Sequence, residues 1–316
     1  MYTRREFGQL ALAALPGLGA SPSSLLNSAE SLLAKPDSKV SGVQIGLNVP
    51  YSFGNNAMTG DETLERCLTL GVSAVELRAQ PVEAFMGVPA ELVKATSGRG
   101  RSQGPEREGA LAELRKWRIA APMQKAKEFR KKYGDAGVNI EIVKFDAIYA
   151  RQDDELDYCF ELAKALGARA ISCEISVKDT QRVGRFADKH RLMVGYHGHE
   201  ETSPVDWETA FGFAKHNGAN LDIGHFVAGN NASPIPFLKK HHDRVTHIHV
   251  KDRKYKEGPT TPFGEGDTPI KEVLQLIRDN KWPIQATIEF EYPVPSGSDR
   301  MAEIAKCVQF CRDALR

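Results

Sequence analysis

From residue 40 onward, short apolar, β-branched runs alternate with longer amphipathic segments. Such alternation is typical of repeated βα units around a parallel sheet, and eight strands are the number that closes a barrel. The sequence therefore predicts an α/β protein with a single-domain (β/α)8 TIM-barrel fold over residues 40–316. The eight predicted strands are Val43–Leu47, Ala74–Leu77, Asn139–Phe145, Ala170–Ile175, Leu192–Tyr196, Ala219–Ile223, Val245–Val250 and Ile284–Phe290.

Apolar positions at helical spacing fill the intervals between these strands. A stretch from Thr96 to Glu108, rich in Gly, Arg and Ser, interrupts the second helical segment. We interpret it as a solvated surface loop rather than a binding patch. The predicted helices lie near Asp61–Leu70, Glu91–Tyr133, Asp154–Leu166, Thr180–His190, Trp207–His216, Pro234–Lys240, Ile270–Asn280 and Arg300–Leu315.

Residues 1–39 do not follow the barrel pattern. The paired arginines Arg4 and Arg5 precede a short apolar run, Leu10–Ala20, which matches a twin-arginine (Tat) signal. The run is too short to form a stable membrane anchor. We expect residues 1–39 to be a signal peptide and linker, the Tat export machinery to be a partner, and the protein to be periplasmic. A frayed cytosolic N-terminus is the alternative, and the cleavage position stays open.

Charge and cysteine content narrow the functional classes. Lys and Arg number 42 against 41 Asp and Glu, so the 316-residue chain lacks the positive field that nucleic acid would require. A neutral or weakly charged small molecule is the favoured ligand. The five cysteines show no CxxC spacing and cannot all pair within one chain. We expect them to be mostly buried free thiols.

Ionisable residues gather where the later predicted strands end, and in a parallel barrel those ends meet at one mouth. Period-two alternation places residues two apart on one face of a strand. Strand five thereby aligns a histidine pair, strand seven two histidines and a lysine, and strand eight two glutamates. The candidates, from strand four to strand eight, are Glu174, His197, His199, Asp222, His225, His247, His249, Lys251, Glu289 and Glu291.

This set of imidazoles and carboxylates, without a thiolate, suits a divalent metal ion, namely Mn, Co, Zn or Fe(II), that keeps positions open for substrate oxygens. A single histidine or glutamate at a strand end is more often a hydrogen-bonded polar group. Many at one mouth would be costly without a cation or a substrate. Lys251 and Asp252 could instead form a loop-ordering ion pair, which we favour for Asp252.

These segments resemble the xylose isomerase-like TIM barrels, also called the AP endonuclease 2 superfamily. It includes sugar-phosphate isomerase/epimerases, ketose 3-epimerases, inosose dehydratases and endonuclease IV. The resemblance covers about residues 40–316. Its most specific parts are Leu221–His225, His247–Asp252, Gly264–Gly266 and Ile288–Glu289.

The resemblance implies a ligand set. Members of the epimerase branch hold their metal with a Glu, an Asp, a His and a Glu, one from each of strands five to eight. The last three of these ligands correspond here to Asp222, His249 and Glu289. The strand-five position departs from that pattern, because His197 stands in a YHGH segment where many members have Glu. We take His197 as the fourth ligand.

The same departure changes the expected catalytic groups. In ketose 3-epimerases the strand-five and strand-eight carboxylates also move the proton, so Glu289 retains a catalytic role while a second base is missing. Glu174, His199 and Glu291 are the candidates for it. Lys251 is a further catalytic candidate, and the expected substrate-binding residues are His225, Glu291 and His247.

A divalent cation on a sugar carbonyl acidifies the neighbouring C–H and stabilises the enediolate formed when a base removes the proton. Because sugar phosphates are chiefly cytoplasmic, an exported enzyme is expected to act on a non-phosphorylated sugar or keto-sugar. We therefore expect an isomerase or epimerase of such a substrate, with a 3-keto-glycoside lyase as the alternative. A non-catalytic carbohydrate-binding protein would instead use aromatic platforms such as Trp207, Tyr196 and Phe263. Near-neutral charge argues against endonuclease IV-like activity. The sequence does not decide whether the chain forms a homo-oligomer.

Overall fold

A computed structural model describes residues 35–96 and 104–316 of the chain. Eight parallel strands form one closed barrel, because β1 pairs with both β2 and β8. This confirms the predicted (β/α)8 fold. The strands are β1 (Val43–Val49), β2 (Ala74–Arg78), β3 (Asn139–Lys144), β4 (Ala170–Glu174), β5 (Met193–His197), β6 (Asn217–Asp222), β7 (Val245–Val250) and β8 (Gln285–Ile288).

Helices surround the barrel and cover its outer apolar side chains. The described helices are α1 (Gly60–Thr69), α2 (Ala79–Met86), α3 (Ala90–Thr96), α4 (Pro105–Ala120), α5 (Met123–Ala136), α6 (Asp153–Leu166), α7 (Val177–His190), α8 (Pro204–Phe213), α9 (Ile223–Asn230), α10 (Ile235–His241), α11 (Ile270–Asp279) and α12 (Arg300–Leu315). Among the described helices none is long and apolar enough to cross a membrane.

The structure corrects two helix predictions. Helix α9 was missed, since its first residue, Ile223, was assigned to a strand; the Asp222 side chain instead accepts a hydrogen bond from the His225 N–H at 2.8 Å and caps a helix there. Helix α4 begins at Pro105, inside the predicted loop, because proline is tolerated at the first helical position. Residues 97–103 lie outside the described residues.

The structured unit begins earlier than the predicted boundary at residue 40. It extends from Pro36 to Arg316. Ser38 is fully buried; its N–H donates to the Ser73 hydroxyl at 2.9 Å, and its own hydroxyl donates to the Ile45 carbonyl at 2.7 Å. Part of the predicted linker therefore belongs to the barrel. The predicted signal segment in residues 1–34 lies outside the described residues.

Strand register decides which polar side chains become neighbours at the mouth. Glu174 at the end of β4 lies beside His197 of β5, and Asp222 of β6 lies beside His249 of β7. The five cysteines are free and buried, as predicted, and contribute to the packing rather than to this polar cluster.

Candidate metal centre and catalytic site

The four side chains predicted as metal ligands converge at the barrel mouth. Nε2 of His197 lies 3.5 Å from Oδ2 of Asp222 and 3.9 Å from Oε2 of Glu289. Nδ1 of His249 lies 3.2 Å from the same Glu289 oxygen and 3.8 Å from the same Asp222 oxygen. Bonds of about 2.1 Å to one ion place its ligand atoms about 3 to 3.5 Å apart. These four separations between an imidazole nitrogen and a carboxylate oxygen, from 3.2 to 3.9 Å, are close to that spacing.

Nδ1 of His249 is the atom that best tests the fit to a metal. It is buried and has no hydrogen-bond partner among the residues that the structure describes. Nε2 of the same ring lies 2.5 Å from Oε2 of Glu76, and a carboxylate only accepts, so the proton is on Nε2. Nδ1 therefore faces Asp222 and Glu289, and the neutral ring would offer its lone pair there to a metal ion.

The pocket around His249 strongly favours positive charge. Burial lowers the pKa of His249, but the attraction of Glu289 and Glu76 outweighs burial and raises that pKa to about 10. For Asp222, burial raises the pKa, yet the ammonium group of Lys251 and the neighbouring imidazoles hold it well below its ordinary value. The site is thus built for a cation between its carboxylates.

His225 is a second histidine within reach of this centre. One nitrogen of His225 lies within 4.8 Å of donor atoms of His197, Asp222 and Glu289. Both of its nitrogens are already engaged, however: Nδ1 lies 2.9 Å from Oε2 of Glu200, and Nε2 lies 2.9 Å from Nζ of Lys251. Burial lowers the pKa of His225 to about 4, so the ring is neutral. We therefore assign the fourth ligand position to His249 and leave His225 at the rim.

Lys251 lies at the centre of the carboxylates rather than beside Asp252. Its Nζ is 3.0 Å from Asp222, 2.8 Å from Glu289 and 2.6 Å from Glu291. Burial lowers the pKa of Lys251, but these carboxylates outweigh burial and raise it well above the ordinary value. The Lys251–Asp252 ion pair considered from the sequence is wrong.

Asp252 orders the following loop through hydrogen bonds to main-chain amides rather than through an ion pair with Lys251. Its carboxylate accepts backbone N–H groups of Gly264 at 2.8 Å, Gly266 at 3.0 Å and Thr268 at 3.2 Å. A side chain at position 266 would not fit, because its Cβ would lie 1.9 Å from the Asp252 carboxylate. The loop-ordering role expected for Asp252 is therefore confirmed, with main-chain amides as the partners.

The geometry distinguishes Glu174 from the other two candidates for the base, His199 and Glu291. Oε2 of Glu174 lies 2.8 Å from Nδ1 of His197 and 2.7 Å from Nε2 of His199, and its Oε1 lies 2.8 Å from Nζ of Lys144. Burial raises the pKa of Glu174, but hydrogen bonds from the two histidines outweigh burial and hold it far below its ordinary value. A carboxylate with both oxygens engaged orients its neighbours; it is a weak proton acceptor.

His199 is better suited to accept a proton. Its side chain is 42% exposed at the mouth, unlike the buried ligand histidines. The hydrogen bond to Glu174 raises the pKa of His199, against the opposing effect of burial. Its Nε2 donates to Glu174, which leaves Nδ1 as the nitrogen able to take a proton.

His247 does not contact the mouth, contrary to the predicted substrate-binding role. It is fully buried, with Nδ1 2.9 Å from the Thr246 hydroxyl and Nε2 3.4 Å from Oε1 of Glu76. Two residues along a strand are about 6.6 Å apart, so His247 lies one layer deeper than His249. Glu291, by contrast, is at the rim, where it accepts a hydrogen bond from the Tyr51 hydroxyl at 2.7 Å.

The sequence analysis missed polar residues on the first three strands. The amide of Asn48 donates to Oε1 of Glu289 at 2.6 Å, Glu76 holds His249, and Lys144 holds Glu174. All three are almost fully buried, and each strand carries at least one further polar residue, such as Gln44 on β1, Arg78 on β2 and Glu141 on β3. The sequence shows the polar residues but not which of them are buried, and a buried charged residue requires a partner.

The chain belongs to the xylose isomerase-like TIM barrel family, whose sequence profile matches residues 64–314. This agrees with the closed barrel and confirms the resemblance drawn from the strand-end motifs.

Particular relatives include two proteins named inosose dehydratase. The one from Lactiplantibacillus plantarum is 30% identical over 154 residues, which cover 40% of this chain and 50% of that protein. The one from Clostridium tetani is 25% identical over 136 residues, covering 36% of this chain and 45% of that protein. The chain thus matches about half the length of these curated relatives.

A solved structure of D-psicose 3-epimerase from Clostridium cellulolyticum H10, with D-tagatose, is similar in fold. The superposition has a TM-score of 0.60 at 11% identity and covers 87% of this chain and 100% of that one. At this identity the likeness supports the architecture alone.

The Glu76–His249 contact generates a prediction. Glu76→Gln should lower the affinity for a divalent ion about 10- to 100-fold, because the charge that fixes the His249 tautomer is lost. Titration with Mn²⁺ or Zn²⁺, together with circular dichroism to check the fold, would measure this. Glu141→Gln is the matched control, since Glu141 lies on β3 and pairs with Arg169 instead. Equal affinities in the two variants would contradict the role of Glu76.

Proposed function

We propose that this chain is a divalent-metal-dependent enzyme that removes a proton from the carbon next to a carbonyl group of an uncharged sugar or cyclic polyol. The supporting observation is that donor atoms of His197, Asp222, His249 and Glu289 lie together beside one exposed imidazole, His199, which is held by Glu174. Similarity to proteins named inosose dehydratase agrees with this class of chemistry.

The ion would be held by Nε2 of His197, Oδ2 of Asp222, Nδ1 of His249 and Oε2 of Glu289. Two imidazoles and two carboxylates suit Mn, Co, Zn or Fe(II). When bound, the ion supplies Lewis-acid polarisation of a substrate carbonyl and its neighbouring hydroxyl. Glu76 and Glu174 keep the ligand histidines in the required tautomers through Nε2 of His249 and Nδ1 of His197.

His199 is the proposed base. Its Nε2–H donates to Glu174, and the carboxylate stabilises the imidazolium that forms when Nδ1 accepts the substrate proton. Lys144 fixes Glu174 from the other side through Oε1 at 2.8 Å. Glu174 is therefore a positioning residue, and His199 is the group that contacts the reacting carbon–hydrogen bond.

The charges at the mouth favour an uncharged substrate. Among the residues that the structure describes, each basic side chain found there has a carboxylate partner: Arg78 pairs with Asp146, Lys144 with Glu174, Lys251 with Asp222, Glu289 and Glu291, and Arg253 with Glu200. A phosphate or carboxylate on the substrate would need an uncommitted arginine or lysine. Hydroxyl groups, by contrast, can be bound by these paired residues as donors and acceptors.

We favour elimination as the outcome of proton removal. The carbon–hydrogen bond breaks, its electron pair forms a carbon–carbon double bond, and the β-oxygen leaves with the proton that His199 returns. One acid–base group serves both steps, which fits His197 replacing the strand-five carboxylate that a two-carboxylate relay needs. The expected activity is that of a lyase acting on a keto-glycoside or related ketone.

Isomerisation or epimerisation of a non-phosphorylated sugar is the second candidate. It requires a second group on the opposite face of the carbon. Glu289 is the candidate carboxylate, but Asn48 donates to its Oε1 at 2.6 Å and the proposed ion would take its Oε2. That engagement is why elimination is placed first.

A non-catalytic carbohydrate-binding role finds little support in the aromatic residues. Trp207 and Tyr196 are fully buried in the core, and the Trp207 indole N–H donates to the Tyr196 carbonyl at 2.9 Å. Phe263 packs edge-on against Phe310. None of the three offers the open ring face that a sugar platform needs.

We propose a periplasmic location on the basis of Arg4, Arg5 and the apolar run Leu10–Ala20. A reporter fused behind residues 1–39 should be exported through the Tat pathway. Replacing both arginines with lysine should retain the reporter in the cytoplasm. Equal export of the two fusions would contradict the proposal.

The activity is tested by incubating the metal-loaded enzyme in deuterated water with inososes and 3-keto-glycosides. Elimination should give an unsaturated ketone with enone absorbance, whereas epimerisation should return a deuterated sugar isomer. His199→Gln should slow either reaction by at least about 100-fold without changing the bound metal.

The matched control is His216→Gln, which breaks a similar histidine–carboxylate pair at 2.7 Å from Asp188, on the outside of the barrel. It should leave the rate unchanged. Turnover by His199→Gln at the rate of His216→Gln would remove His199 as the base, and the absence of both enone formation and deuterium incorporation with every ketone would reject the proposed function.

A further inference from the structure

The ammonium group of Lys251 contacts the same two oxygens that face the metal centre. Its Nζ lies 3.0 Å from Oδ2 of Asp222 and 2.8 Å from Oε2 of Glu289. These are also the oxygens nearest to Nε2 of His197 and Nδ1 of His249. One pair of oxygens thus serves both the lysine and the proposed ion.

Lys251 has a second pair of partners that the centre does not use. Oε2 of Glu291 lies 2.6 Å from Nζ, and Nε2 of His225 lies 2.9 Å from it. An ammonium group has three hydrogens and here faces four acceptors. Lys251 can therefore release Asp222 and Glu289 and remain held by Glu291 and His225.

We propose that Lys251 is a built-in competitor of the divalent ion, whose ammonium group neutralises Asp222 and Glu289 until an ion takes their oxygens. The inference rests on the proposed metal centre. Two cations that share the same buried oxygens repel one another strongly in a low-dielectric pocket. The affinity for the ion is then set by how readily Lys251 moves its contacts to Glu291 and His225.

The same arrangement explains how the barrel tolerates buried carboxylates. Asp222 is fully buried and Glu289 is nearly so. Unpaired carboxylates at this depth would be strongly destabilising. Lys251 pairs with both, so the folded chain does not depend on prior loading with an ion.

The test measures Mn²⁺ and Zn²⁺ affinity by calorimetry in the full-length protein and its variants. Lys251→Met keeps an unbranched side chain one heavy atom shorter and removes its charge, so it should bind either ion at least about tenfold more tightly than the native protein. Lys144→Met is the matched control. That lysine is equally buried but contacts Glu174 rather than the two shared oxygens, so its replacement should not tighten binding.

A second variant acts in the opposite direction. Glu291→Gln weakens the alternative contact of Lys251 and should lower ion affinity in the native background. The decrease should largely disappear in the double variant with Lys251→Met, because the effect acts through the lysine. An equal decrease in both backgrounds would contradict the proposal.

The outcomes separate this inference from the proposed function. A native protein that binds neither ion would reject the metal centre itself. Ion binding by the native protein with equal or weaker binding by Lys251→Met would overturn the competition alone. Should Lys251→Met fail to fold, Glu291→Gln decides, and an affinity equal to that of the native protein would overturn the proposal.

Discussion

Charge balance inside the barrel mouth is the constraint on which the rest of the structure depends. A carboxylate removed from water is costly unless a cation or several hydrogen bonds compensate it. Lys144 and Lys251, both almost completely buried, exist in the mouth for this reason, and the raised pKa of His249 has the same origin. The carboxylates that must be balanced are Glu76, Glu174, Asp222, Glu289 and Glu291.

The charge balance at the barrel mouth gives different roles to the carboxylates that orient histidines and to the histidine proposed to react. Glu76 and Glu174 each accept a hydrogen bond from a histidine nitrogen that faces away from the centre, Nε2 of His249 and Nδ1 of His197. The other nitrogen of each ring faces the centre, where the proposed ion would bind. His199 shares Glu174 but extends into the mouth, so the same carboxylate that orients a ligand also strengthens the proposed base.

Much of the site could be predicted because a parallel barrel brings its strand ends together. Asp222, His249 and Glu289 are recognisable from motif and period-two spacing, and the structure brings them together. The depth of a side chain in the barrel was harder to predict. His247 shares a strand face with His249 but lies one layer deeper, because period-two alternation predicts the face of a residue and not its position along the barrel axis. Helix α9 was missed because its cap is the same Asp222 that ends the strand.

Roles that depend on pairing could not be predicted from one strand at a time. Glu174 was one of three candidates for the base until the structure placed three donors on its oxygens, and Lys251 was a catalytic candidate whose contact with Asp222 could not be foreseen. Glu76 and Lys144 lie on strands that carry other polar residues too, and the partner of Glu76 comes from β7 while that of Lys144 comes from β4. Only the register of the closed barrel determines those partners.

The most direct test of the metal centre is anomalous X-ray diffraction from crystals of the protein soaked in Mn²⁺ or Zn²⁺, recorded at the absorption edge of the ion. The account predicts one strong peak within about 2.0–2.3 Å of donor atoms of His197, Asp222, His249 and Glu289. A peak bound elsewhere, or no peak among these four side chains at saturating ion, would contradict it.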